Sequence, residues 1–306
     1  MRALPVDFTF DSELSVQPPY RLDLTVQALR RVQPNIVDVL DDDNVYRRAL
    51  VDETGTNLVE VRQSAPDKLT LRLSGSRPGR WVPTVARMLG VYVNLDEWYR
   101  RASAIPAVAQ LSAEMRGLRP PQYPFLWEAL SHAIVFQQLS LHAAGTIMRR
   151  FVQGLSRPLT DGDRLYYPFV TPQAVLKAPD ATLRSFGLSA AKVGHLRTAA
   201  TAILGHSIDE GMIESLDSLQ ASALLMNLRG IGPWSASLVL LRGFGRLDVF
   251  PLKDSGVARS VAMLSTSYEV KMNEALEALG PVQGMLYFHL LLGRIRRKRG
   301  APSRPE

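Results

Sequence analysis

Along KLTLRLSG (residues 68–75) every second position is leucine. Leu69, Leu71 and Leu73 line one face and polar residues the other, the two-residue period of a half-buried strand. NVYRRALVD (44–52) and NLVEVRQ (57–63) are similar alternating or β-branched runs, set apart by the turn-like ETGT and SAPD. RLDLTVQALRRV (21–32) and RWVPTVARMLGVYV (80–93) read as helices on either side of them, with FTFDSEL (8–14) ahead of both. Residues 1–104 are therefore expected to form an α+β domain.

Beyond the irregular LRPPQYP (118–124) the period changes. Leu126, Leu130 and Ile134 share one stripe of FLWEALSHAIVFQ, and Leu141, Ala144, Met148 and Phe151 share one of LHAAGTIMRRF. Thr171 and Ser189 read as N-caps, with Pro172 at the first helical position. Asp180 opens a helix that Gly187 closes. Residues 105–306 are expected to be an all-α domain, with a basic C-terminal run, GRIRRKRG.

Composition narrows the chemistry. There are 36 Lys and Arg against 29 Asp and Glu among 306 residues, a formal charge of +7, which favours a polyanionic partner such as nucleic acid. Cysteine is absent, which excludes disulfides, thiolate nucleophiles and Cys-ligated zinc or iron–sulfur centres and fits a reducing cytoplasm. No apolar run is long enough for a membrane span, and MRALPVDFTFDSELS lacks the apolar core of a secretory signal, so a cytoplasmic protein is expected. The five histidines (His132, His142, His195, His206, His289) show no metalloprotease spacing and no suitable acidic partner, and GFGRLD fails the dinucleotide pattern. No organic cofactor is implied.

The densest signal is LRGIGPWSASLVLLRGFGRLDVFPLKD (228–254). Gly230 and Gly232 flank Ile231, so a tight turn is allowed around one apolar anchor, and Pro233 suits the first turn of the helix that follows. The preceding SLQASALLMNLR is a short amphipathic helix. Backbone N–H groups beside a helix N-terminus bind a phosphate oxygen without reading any base. A glycine-capped αα-hairpin with no ligand fits the same residues.

The string LRGIGPWSA resembles the helix-hairpin-helix motif of DNA repair glycosylases. Three blocks, SHAIVFQQLSLHAAGTIMRRF (131–151), residues 169–203 and residues 228–261, are similar in the same order to the bacterial inducible 3-methyladenine-DNA glycosylase family. The resemblance implies a TATA-binding-protein-like N-terminal domain and a helical domain of two lobes with a cleft between them. Double-stranded DNA carrying damaged bases is the implied partner, bound by a monomer in the nucleoid.

Family members carry a catalytic aspartate about two dozen residues past the first hairpin glycine, here Asp254. A carboxylate beside C1′ stabilises the oxocarbenium-like sugar as the base departs and orients or deprotonates the attacking water. Asp248, at the loop's entry, is the rival and has a turn or capping role otherwise. An alkylated purine is already cationic and leaves readily, so one carboxylate suffices. Members that also cut the strand place a Schiff-base lysine where this chain has Trp234, which implies hydrolysis without lyase activity. Lys253 is assigned to phosphate or solvent.

The resemblance further implies a base pocket of Trp234, Phe136, Gln137, Leu238, Tyr287 and Leu291. Trp234 is equally suited to packing the hairpin. Leu238 and Leu291 stand where relatives have a tyrosine and a tryptophan, a loss that Tyr287 and Phe288 are placed to offset. Gln138, then Leu139, is the implied wedge that fills the gap left by a flipped base, unless the segment is only a polar helix end. Gly230, Ile231, Gly232 and Ser235 are the implied DNA-backbone contacts. Relatives hold a sodium or potassium ion on hairpin carbonyls, which points to Met226, Leu228 and Gly230. The readings left open are excision of deaminated, cyclic-adduct or oxidised bases, and non-catalytic binding of DNA structures.

Overall fold

The alternation in residues 68–75 builds an inner strand of a five-stranded antiparallel sheet. A computed structural model describes residues 6–32, 34–75, 77–252 and 271–300, the last four as backbone alone. Strands β1 (Phe8–Ser15), β2 (Asp38–Leu40), β3 (Tyr46–Asp52), β4 (Gly55–Ala65) and β5 (Lys68–Ser74) lie in the order β1-β5-β4-β3-β2. Leu73 pairs with Val59 and Leu71 with Val61, while Val59 lies opposite Arg48 and Val61 opposite Tyr46. One face thus carries the apolar residues read from the sequence together with one arginine. Helix α1 (Leu22–Arg30) connects β1 to β2 and buries Leu22, Leu24, Val26 and Leu29 in the same core.

Helices α2 (Val82–Met88), α3 (Asp96–Ala102) and α4 (Pro106–Glu114) lead into α5 (Leu126–Phe136), every residue of which is buried. Around it stand α6 (Leu141–Leu155), α7 (Pro172–Lys177), α8 (Asp180–Ser185), α9 (Ala190–Leu204), α10 (Glu210–Glu214), α11 (Ser218–Met226) and α12 (Pro233–Phe244). Helices α13 (Met272–Leu279) and α14 (Gly284–Gly300) close the described chain. The Thr171 and Ser189 hydroxyls accept from the Ala174 and Lys192 amides as caps.

The region past residue 105 is not wholly helical. Strands β6 (Leu159–Asp161) and β7 (Arg164–Tyr166) form a hairpin that turns at Gly162, whose φ is 58°. Tyr166 covers Ala49 and Leu58 on the second face of the sheet, the apolar positions that would otherwise face water. Residue 104 lies between α3 and α4, and the buried core continues without a break from Leu14 to Leu292.

Charges cross that core. Arg48, Asp38 and Glu128 are each about 1% exposed. The Arg48 guanidinium donates to Asp38 at 2.6 Å and to Glu128 of α5, and the Tyr46 hydroxyl donates to Asp38 at 2.8 Å. A guanidinium taken out of water needs such partners. Burial, opposed by the Arg48 charge and reinforced by Asp38, raises the Glu128 carboxyl to about 7. From α12, buried Arg242 donates to the Ala28 and Leu29 carbonyls at the end of α1, at 3.1 and 2.9 Å.

One histidine does have an acidic neighbour. His132 Nε2 lies 3.9 Å from Glu128, one helical turn away, although burial and the charge of Arg31 hold the imidazole well below its usual pKa. Its ring stacks on Tyr123 at 4.3 Å. Among the described residues no helix is long and apolar enough to cross a membrane, and no group of three His, Asp or Glu is placed to hold a metal ion.

Candidate functional site

Helix α11 starts with a capping box in which the Asp217 side chain accepts from the Gln220 amide and the Gln220 side chain from the Asp217 amide. Its chain leaves through Asn227 and turns at Gly230, with the Ile231 amide donating to the Leu228 carbonyl at 3.0 Å. Ile231 is buried as the apolar anchor. Gly232 then precedes α12, which opens on Pro233, and a helix start of this kind favours an anion.

Gly230 has φ of 89°, and a Cβ built on it would lie 2.2 Å from the Cγ of His195 on α9. The turn therefore rejects a side chain twice, by backbone conformation and by the ring beneath it. Replacing Gly230 with Ala is expected to destabilise the protein by about 1–3 kcal/mol, the range for such strain, and to weaken binding to any duplex alike. Denaturant midpoints and duplex titrations check both; a variant that matched wild type in each would show that the hairpin tolerates a side chain.

The VFQQLS segment meets this hairpin directly. Gln137, the first residue after α5, donates its side-chain amide to the Gly230 carbonyl at 2.7 Å and to the Ser235 hydroxyl at 2.9 Å. The donor nitrogen of its side chain is thus engaged by the hairpin. Ser235 is buried, with its hydroxyl accepting from Gln137. The next residue, Gln138, is exposed and has φ of 55°, a left-handed conformation uncommon outside glycine. Leu139 is half-buried against the core, and Ser140 caps α6.

The remaining expected pocket residues are buried or half-buried. Trp234 is half-buried and packs against the core at the start of α12, and Leu238 one turn later is buried. Tyr287 and Leu291 lie buried on α14, with Phe288 edge-on to Tyr287 at 5.6 Å. Phe136 and Tyr287 share a neighbour absent from the sequence reading, Arg31 at the end of α1. Its guanidinium lies 4.5 Å over the Phe136 ring and donates to the Tyr287 hydroxyl at 3.2 Å. Lys192 of α9, which no sequence motif marks, donates to the Val135 carbonyl at 2.8 Å and the Gln137 carbonyl at 2.9 Å.

Met226 is exposed and Leu228 half-buried, with the carbonyls of Leu228 and Gly230 already accepting from Ile231 and Gln137. The side chain of Asp248 is exposed in a turn, and its carbonyl accepts from Gln283 at 2.6 Å, in keeping with a turn residue. Asp254 and Lys253 lie outside the described residues.

Comparisons with known proteins agree on this architecture. The chain is 25% identical over 171 residues to a DNA-3-methyladenine glycosylase of Bacillus subtilis, covering 56% of each protein. It is 27% identical over 238 residues to the DNA-3-methyladenine glycosylase 2 of Escherichia coli, covering 78% of this chain and 82% of the other. The matched stretches span about half the length of several curated relatives. A solved 3-methyladenine DNA-glycosylase from Archaeoglobus fulgidus superposes over 92% of this chain and 97% of its own, with a TM-score of 0.77 at 23% identity, a likeness of fold. The family described as HhH-GPD superfamily base excision DNA repair protein matches residues 131–281, the stretch that runs from α5 through the glycine hairpin, and the chain therefore carries an HhH-GPD superfamily domain.

Proposed function

We propose that the chain is a monofunctional DNA glycosylase that removes alkylated bases of the 3-methyladenine and 7-methylguanine type in base excision repair. The observation that carries this reading is the bond from Gln137 to Gly230 and Ser235, which sets the exposed Gln138 beside the glycine hairpin. One element grips a strand through backbone N–H groups, and the other presents an amide where a base would leave the stack. Relatives named as 3-methyladenine glycosylases support the substrate class.

In this reading Gln138, backed by Leu139, fills the gap and hydrogen-bonds the orphaned partner base, while the extruded base rests against Trp234 and the residues around Phe136. Asp254 stabilises the developing sugar cation and directs water to C1′. Catalysis needs little proton donation, because the alkylated base carries its own positive charge. Trp234 has no amine with which to form an imine, so the strand is left uncut. Sodium or potassium at the hairpin would use the second lone pairs of the Leu228 and Gly230 carbonyls, with Met226, and would add positive charge beside a phosphate. The enzyme is proposed to act as a cytoplasmic, nucleoid-associated monomer, with the N-terminal sheet and α1 as its TATA-binding-protein-like unit.

A second reading, excision of deaminated, cyclic-adduct or oxidised bases, is favoured by the buried aliphatic Leu238 and Leu291 and by the Arg31 cation behind Phe136. Base release from a panel of lesion-bearing duplexes separates the two. Release of 3-methyladenine with no adduct trapped by borohydride is the expected result. A trapped adduct would overturn the absence of lyase activity, and tight binding without release of any base would favour a DNA-structure binder.

A further inference from the structure

The last carbonyls of a helix have no donor inside it. For α5 the donor comes from α9, where the Lys192 ammonium reaches the Val135 and Gln137 carbonyls at 2.8 and 2.9 Å. A cation at a helix C-terminus is also favoured by the helix dipole. Half-buried among these groups, Lys192 has its pKa lowered by burial.

Gln137 is consequently fixed at both ends, its carbonyl on Lys192 and its side-chain amide on Gly230 and Ser235. The residue that follows, Gln138, stands exposed in the left-handed region, a conformation that persists only where its surroundings impose it. Three residues along α9 from Lys192, on the same helix face, His195 packs its ring under Gly230. A single face of α9 therefore sets the distance between the presented amide and the strand-gripping turn.

We propose that Lys192 is a positioning residue for base flipping, holding Gln138 at a fixed place relative to the glycine hairpin through the end of α5. The proposal rests on the glycosylase reading above. Its consequence is selective. A wedge out of place penalises the extrusion step, whose cost is highest for a well-paired base and least for a mismatched or unpaired one. Loss of the ammonium should therefore be felt according to how the lesion is paired.

The test is single-turnover release of the same alkylated base from two duplexes, one fully paired and one with the lesion in an unpaired bubble. For Lys192→Met the ratio of paired to bubble rates is expected to fall about tenfold relative to wild type, and Lys192→Arg, which keeps charge and donors, is expected to restore it. Should Lys192→Met fail to fold, Lys192→Gln, which keeps donors but not charge, takes its place under the same criterion. Equal slowing on both duplexes, or no slowing on either, overturns the positioning role. Wild-type silence on both overturns the glycosylase reading and this inference with it, and is told apart because it precedes any substitution.

Discussion

Replacing Asp254 with asparagine is expected to slow single-turnover base release from methylated duplex about a thousandfold while leaving duplex affinity within a few fold of wild type. The substitution keeps shape and removes one negative charge. If that charge faces a sugar carbon that becomes cationic only in the transition state, its loss appears in the rate and not in binding. Asparagine matching wild type would remove the role from Asp254. Silence of both proteins with binding retained would instead point to a non-catalytic binder.

The second large effect is on stability. Replacing Arg48 with methionine strands two buried carboxylates, Asp38 and Glu128, and is expected to cost about 3–5 kcal/mol in the denaturant midpoint analysis. Because Arg48 lies on β3 and Glu128 on α5, the loss should fall on unfolding of sheet and helices together. The same methionine combined with Asp38→Asn and Glu128→Gln removes the uncompensated charge and is expected to recover much of that loss. A cost below about 1 kcal/mol for the single variant would mean that water reaches the cluster.

These residues also show where sequence reasoning stopped. Leucines at every second position of β5, the apolar stripe of α5 and the caps at Thr171 and Ser189 are local signals, and the fold realises them. Arg48 carried a weaker one, since it falls on the core-facing parity of β3 with Tyr46 and opposite Val59, where a charge requires partners. The β6–β7 hairpin has its Gly162-Asp163 turn in the sequence, but its three-residue strands are too short to show a period. Lys192 left no local trace at all. Its carbonyl partners lie 57 and 55 residues away, and only packing of α9 against the end of α5 brings them together.

Of the expected site, the hairpin, Gln137 and Gln138 do come together, and the motif that brought attention to them is short and local. The surroundings of the expected pocket residues are harder to read, because Phe136, Trp234 and Tyr287 stand on α5, α12 and α14 and Arg31, at the end of α1, joins two of them. A contact made by Arg31, far ahead of α5 in the sequence, leaves no pattern among the residues around Phe136 or Tyr287. Gln137 illustrates the same difficulty on a smaller scale: its bonds to Gly230 and Ser235 join segments more than ninety residues apart, which no local pattern shows.

The most direct test of the account is an experimental structure of the protein on duplex DNA carrying a non-cleavable abasic or alkylated-nucleotide analogue. The Gln138 amide is expected inside the base stack opposite the orphaned base, with a phosphate on the turn at Gly230 to Gly232 and the Asp254 carboxylate facing C1′ of the extruded sugar. A duplex bound with every base still stacked, or Asp254 turned away from that sugar, would contradict it.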